Sequence, residues 1–156
     1  MRKLNLILPF LIVLIFFSCE TAKEPVKNEI SVLIDNWHKA ATNADLESFF
    51  GMMSDDAIYI GTDPGERWTR QEFYQFCEPY FSKGKAWDFK PYDRQIHFSE
   101  DNGNIWFDEL LETWMGVCRG SGVIVRENDT YKISHYHLSV TIKNESIKEF
   151  LEIKQD

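Results

Sequence analysis

Between residues 29 and 42, apolar side chains recur at the spacing of a helix. Ile30, Leu33, Ile34, Trp37 and Ala41 fall on one stripe behind Asn28, a residue suited to an N-cap. Asp45 is placed to cap a second, short helix running through Phe50. In "TRQEFYQFCEPYFSKG", Thr69 and Glu72 have capping-box spacing, while Phe73, Phe76, Cys77, Tyr80 and Phe81 form one apolar face. Gly84 is placed to end this helix, and Pro79 inside it predicts a kink or an early stop. Elsewhere the period changes to two. "DAIYIG" at 56–61 reads as a short strand closed by the turn "TDPGE". Residues 86–99 predict one or two strands broken near Pro91, and "EDNGN" is a hairpin signal leading into the strand "IWFDELLETW", which Gly116 interrupts. "VCRGSGVIVRE" and "TYKISHYHLSV" flank "NDT" as a second hairpin, and "NESIKEFLEIK" closes with a short helix begun by Asn144. Helices first and antiparallel strands afterwards predict an α+β domain, with the helices covering one face of a curved sheet.

The extreme N-terminus follows another rule. Arg2 and Lys3 precede an uninterrupted apolar run over 6–17, then Ser18 and Cys19. Twelve residues at ~1.5 Å each reach roughly 18 Å, short of a ~30 Å hydrocarbon layer, so residues 1–18 read as a secretion signal and not as a spanning helix. Cys19 behind a small residue resembles a bacterial lipoprotein cleavage box. That resemblance implies lipidation of Cys19, a solvated lipidated tether over 19–28, a folded domain over 29–156, and a protein held at the bacterial cell envelope by acyl chains. Removing 1–18 leaves 15 Lys and Arg against 25 Asp and Glu, a net charge of −10. With no basic stripe, such a surface repels phosphate backbones and argues against nucleic-acid binding. The length suits one domain with one core. Cys77 falls in a helix pattern and Cys118 in a strand pattern, and two buried free thiols are expected.

The order of elements, with "DAIYIGTDPGERW", "IWFDELL", "RGSGV" and "YKISHYHLSV", resembles the SnoaL-like branch of the nuclear transport factor 2 superfamily over about residues 29–143. The resemblance implies a cone-shaped barrel, in which a bent antiparallel sheet wraps the N-terminal helices and leaves a pocket at the open end. It also implies homodimers formed through the convex sheet face. The last strand is similar to the end of the association domain of calcium/calmodulin-dependent protein kinase II, which carries a comparable histidine, aromatic, histidine run. Functions in this superfamily are diverse, and the tyrosine and aspartates of the ketosteroid isomerase relatives have no matching positions here.

Strict alternation through "YKISHYHLSV" puts Tyr131, Ile133, His135, His137 and Ser139 on one face, with the two imidazoles roughly 6.5 to 7 Å apart. Such a pair can chelate zinc or supply a base, but a metal site needs a third ligand. His97, Asp108 and Glu109 lie on other strands and no compact ligand motif is present, so neither a metal nor another cofactor is expected. In "IWFDELLETW" one of Asp108 and Glu109 must point inward, where an apolar setting would raise its pKa. Arg119 opens "RGSG", whose two glycines leave one strand face bare, for a ligand, for an approaching backbone or for a bend. Tyr59, Trp68, Trp87 and Trp106 lie near strand ends and are placed to line a pocket, and "TDPGE" reads as a rim turn, not a phosphate loop.

These patterns predict an envelope-anchored module that binds a small acidic or aromatic molecule through Tyr59, Trp68, Trp106, Arg119, His135 and His137. The alternatives are an isomerase- or hydrolase-type enzyme using Asp108 or His135 as base, with Arg119 steadying negative charge, and a dimerising assembly domain.

Overall fold

The computed structural model describes residues 23–84, 86–101 and 103–154. In chain order the elements are α1 (Lys23–Thr42), α2 (Leu46–Gly51), β1 (Met53–Ile60), β2 (Arg67–Thr69), α3 (Arg70–Phe81), β3 (Lys90–Phe98), β4 (Ile105–Thr113), β5 (Gly116–Glu127), β6 (Thr130–Val140), a 3-10 turn (Asn144–Ser146) and α4 (Ile147–Ile153). The strands form one curved six-stranded sheet in the order β2-β1-β6-β5-β4-β3. Every neighbouring pair is antiparallel except β1 with β6. This is the expected α+β architecture, with the helices packed on one face of the sheet.

Local chemistry explains the helix limits. Ile30, Ile34, Trp37 and Ala41 of α1 are buried, as their spacing predicts, and His38 and Ala40 are buried beside them. The helix begins at Lys23, six residues before the expected start at Glu29, in a stretch expected to be solvated tether. Pro25 sits in the first turn, where its missing N–H forfeits no helical bond. Lys27 and Glu24 pair one turn apart at 3.3 Å, and Val26 packs against the core. Residues 1–22, with the expected signal sequence and Cys19, lie outside the described residues. Asp45 caps α2 by accepting from the Ser48 N–H at 3.0 Å. Thr69 and Glu72 form the capping box of α3, which carries Pro79 in its last turn and continues to Phe81.

Two bulges set which side chains meet inside the sheet. On β3, Tyr92 pairs with Leu110 and Gln95 with Asp108, so Asp93 and Arg94 together oppose Glu109. Asp93 takes a positive φ of 51° there, and Arg94 turns inward. Pro91 is tolerated because β3 is an edge strand, and it does not split the strand as expected. On β6, Val123 of β5 faces His135 while Ile124 faces Ile133, leaving Ser134 as the extra residue. Ile133 therefore points into the core, and so do Tyr136 and Leu138. The alternation expected through "YKISHYHLSV" breaks at this bulge, which sends His135 and His137 to the outer face.

The bare inner face of "RGSG" is filled by neighbouring rings. A Cβ on Gly120 would overlap the Tyr136 hydroxyl, and one on Gly122 would sit 2.7 Å from the Phe107 ring and about as close to the His135 carbonyl. The glycines let aromatic side chains from adjacent strands cross β5. Around them Trp37, Phe49, Tyr59, Phe73 and Tyr136 form a continuous aromatic core, with Trp37 stacked on Phe49 at 4.7 Å and Tyr59 on Phe73 at 3.8 Å between ring centroids. Each favourable ring pair adds about 0.5–1.5 kcal/mol beyond its area burial.

Candidate functional site

Two features stand out inside the cone. The first is a polar cluster around Glu109, which is 0 % exposed on the inner face of β4. His38 of α1, 4 % exposed, places Nε2 2.6 Å from Glu109 Oε1. Arg94 donates from Nε to Oε2 at 2.8 Å, and its Nη1 reaches Asp35 Oδ1 at 2.8 Å and the Ser31 carbonyl and hydroxyl at 3.0 Å. The Tyr136 hydroxyl lies 3.5 Å from Oε1. Burial alone would raise the Glu109 pKa. The hydrogen bond and charge of His38, together with the charge and hydrogen bond of Arg94, outweigh burial and hold the carboxyl below its ordinary value. Tyr136 moves the other way, pushed well above the usual phenol range by burial and then by the Glu109 charge beside it. The carboxylate is thus charged, multiply hydrogen-bonded and enclosed. It ties α1 to β3, β4 and β6, and has neither the raised pKa nor the access expected of a general acid or base.

The second feature is a cleft of about 160 Å³. It opens where β1 and β6 end and β4 turns into β5, facing α3. Tyr59, Trp68, Phe73, Phe76, Trp87, Phe89 and Trp114 contribute rings to its walls, joined by Gly61, Thr62, Glu66, Met115 and Leu138. The rings brace one another: Trp68 stacks on Phe76 at 4.6 Å and on Phe73 at 5.5 Å. Trp114 is 85 % exposed in the β4–β5 turn, at the mouth. Glu66 supplies the charged side chain among the lining residues, and its Oε2 accepts from the N–H groups of Thr62 and Asp63 at 2.9 and 3.1 Å. The 62–66 turn therefore forms the rim, as its sequence suggests. Tyr136 connects the two features, with its ring 5.6 Å from Tyr59 and its hydroxyl on Glu109. None of His38, Arg94, Glu109 and Tyr136 lines the cleft.

A SnoaL-like domain model matches residues 30–143, most of the chain. The chain belongs to the SnoaL-like domain family. Solved structures of similar fold include an NTF2-like protein of unknown function from Pseudomonas putida, with 14 % identity, TM-score 0.64, and coverage of 78 % of this chain and 91 % of that one. An NTF2-like protein from Cytophaga hutchinsonii shares 19 % identity over 74 % of this chain and 98 % of its own, with TM-score 0.62. A putative scytalone dehydratase from Novosphingobium aromaticivorans shares 11 % identity over 78 % and 89 %, with TM-score 0.65. At these identities the likeness concerns the fold. Curated protein sequences give no significant match.

Within this SnoaL-like fold the residues singled out in the sequence divide sharply. Tyr59 and Trp68 line the cleft, and so does Trp87. Trp106, Asp108, Arg119, His135 and His137 project from the outer sheet face, so the structure corrects their placement in the pocket. Asp108 is held there by Arg119 Nη1 at 2.7 Å and by His97 Nε2 at 3.7 Å, an ordinary cross-strand ion pair. Trp106 stacks on His97 at 5.5 Å on the same face. His135 has its pKa lowered by partial burial, then by the charges of His137 and Arg67. Of the two candidate carboxylates, Glu109 is the inward one. Among the described residues no group of three or more His, Cys, Asp or Glu side chains is arranged to hold a metal ion. Cys77 and Cys118 are buried free thiols, as expected. Sequence reasoning missed His38, Arg94 and Tyr136. His38 lies four residues after Ile34, on the apolar stripe of α1, and a polar residue there signals a buried partner.

Proposed function

We propose that this SnoaL-like protein is a small-molecule-binding module whose ligand enters the aromatic cleft. The observation that carries this reading is the cleft wall itself: seven aromatic rings, one rim carboxylate and no Lys, Arg or His among the described residues that line it. Its volume, about half the lower bound of the ~300–1,000 Å³ typical of drug-sized sites, suits a small ligand or one group of a larger one. An aromatic or apolar ligand fits these walls. The acidic ligand suggested by Arg119 finds no basic partner there. Acid–base catalysis is the weaker reading, because Glu109 is already paired with Arg94, hydrogen-bonded to His38 and covered by Tyr136.

The same proposal keeps the protein at the bacterial cell envelope through lipidation of Cys19, supported by the order of basic, apolar and small residues that precedes it. It also makes the outer sheet face, with Tyr92, Trp106, Val117 and Val123 exposed, the interface of a homodimer. The reading is tested by native mass spectrometry of protein purified gently from its own membranes. An organic adduct retained by the wild type and lost in Trp68→Ala supports it; turnover of that molecule by the purified wild type, lost in Trp68→Ala that remains folded, would replace binding with catalysis.

A further inference from the structure

We infer that the group held in the cleft is a small organic cation of the alkylammonium class, an inference that rests on the binding reading above and specifies its ligand. Three observations combine. The walls are aromatic: Tyr59, Trp68, Phe76 and Trp87 line the cavity, and Trp114 stands exposed at its mouth. Aromatic faces are the negative side of the ring quadrupole, and several of them around one small cavity attract a cation more than they attract a neutral group of the same shape. The charge at the rim has the matching sign. Glu66 is fixed in place by its two Oε2 hydrogen bonds to the 62–66 turn, and its Oε1 makes no hydrogen bond to a described residue.

The third observation is the space reserved for that carboxylate. Gly61 ends the rim beside Glu66, and a Cβ at position 61 would overlap Glu66 Oε2 and lie 2.9 Å from its Cβ. Glu66 thus packs against bare backbone, and its half-buried side chain takes a place among the cleft-lining residues. An anionic ligand would meet this carboxylate with no basic side chain among the described lining residues to offset it. A neutral aromatic ligand would satisfy the walls but leave the rim charge without a role. An alkylammonium group uses both: its methyl or methylene surface packs on the rings and its charge faces Glu66. The small volume suits a trimethylammonium-sized head, with any longer substituent leaving past Trp114.

The test uses three probes on the purified protein, read by the indole N–H signals of Trp68, Trp87 and Trp114 in a two-dimensional NMR titration. Choline carries the cation, 3,3-dimethyl-1-butanol is its neutral isostere, and benzyl alcohol is a neutral aromatic. Choline is expected to bind at least about tenfold more tightly than the isostere, the range open to a partly desolvated cation on several rings. Glu66→Gln, which keeps an acceptor for the turn but removes the charge, is expected to weaken choline about fivefold and leave the isostere unchanged. A merely structural role for Glu66 would instead weaken all three probes together. If either neutral probe matches or exceeds choline at the same tryptophans, the cation inference is overturned while the cleft remains the binding site. If none of the three moves those signals, both readings are overturned.

Discussion

Removing the charge of Glu109 is the sharpest perturbation of the fold. Glu109→Gln preserves shape but leaves Arg94, 10 % exposed, and His38 facing an amide. Breaking one partner out of a buried ion pair costs about 3–5 kcal/mol. Here Arg94 keeps a second carboxylate, Asp35 at 2.8 Å, so the expected loss is near the lower end, about 3 kcal/mol. Against a total stability of about 5–15 kcal/mol this is a large fraction. With a urea slope of about 2 kcal/mol/M, the midpoint falls by roughly 1.5 M at pH 7. Urea titration followed by far-ultraviolet circular dichroism reads that shift directly. A triple replacement, His38→Leu with Arg94→Met and Glu109→Leu, should recover most of the loss, because an apolar set of similar volume avoids the uncompensated charge. A Glu109→Gln midpoint within about 0.3 M of wild type would refute the assignment of this cluster as the clamp between α1 and the sheet.

Three other outcomes follow from the same geometry. Because the folded-state pKa of Glu109 lies below its unfolded value near 4.5, its stabilisation is complete above that value and is lost as pH falls through the folded pKa; the wild-type urea midpoint should drop between pH 5 and pH 3 more steeply than that of Glu109→Gln. Gly120→Ala should cost about 1–3 kcal/mol by driving a methyl into the Tyr136 hydroxyl, and Tyr136→Phe in the same chain should relieve part of that cost, a non-additivity that a denaturation cycle measures. Cys77 and Cys118 should resist a thiol-specific colorimetric reagent at pH 8 in the folded protein and react fully in denaturing urea, since both are buried and burial raises the Cys77 pKa; fast labelling of the folded protein would contradict this packing.

Much of the fold was legible because its signals are local. The α1 stripe, the Asp45 cap, the Thr69–Glu72 box and the turn at Asn128 and Asp129, both at positive φ, each depend on residues within a few positions of one another. The site was less legible because it depends on two bulges that no local pattern announces. Ser134 shifts the inward set of β6 from His135 and His137 to Tyr136 and Leu138, and Asp93 turns Arg94 toward Glu109. One extra residue reverses every side chain beyond it. That single shift moved both histidines of "YKISHYHLSV" out of the pocket. Tyr59 and Trp68 escaped this error, since β1 and β2 enter the cleft without a bulge between Ile58 and Ile60 or between Arg67 and Thr69.

The five tryptophans are distributed as reporters: Trp68, Trp87 and Trp114 at the cleft, Trp37 in the core and Trp106 on the outer sheet face. The most direct test of the central claim is therefore an NMR titration of their indole N–H signals with benzyltrimethylammonium, which carries both a ring and a cationic head. Saturable shifts of the three cleft signals, with Trp106 unmoved, are the predicted result. Saturable movement of Trp106 with the cleft signals silent would place the ligand on the outer face, beside Arg119 and His135, and contradict the account.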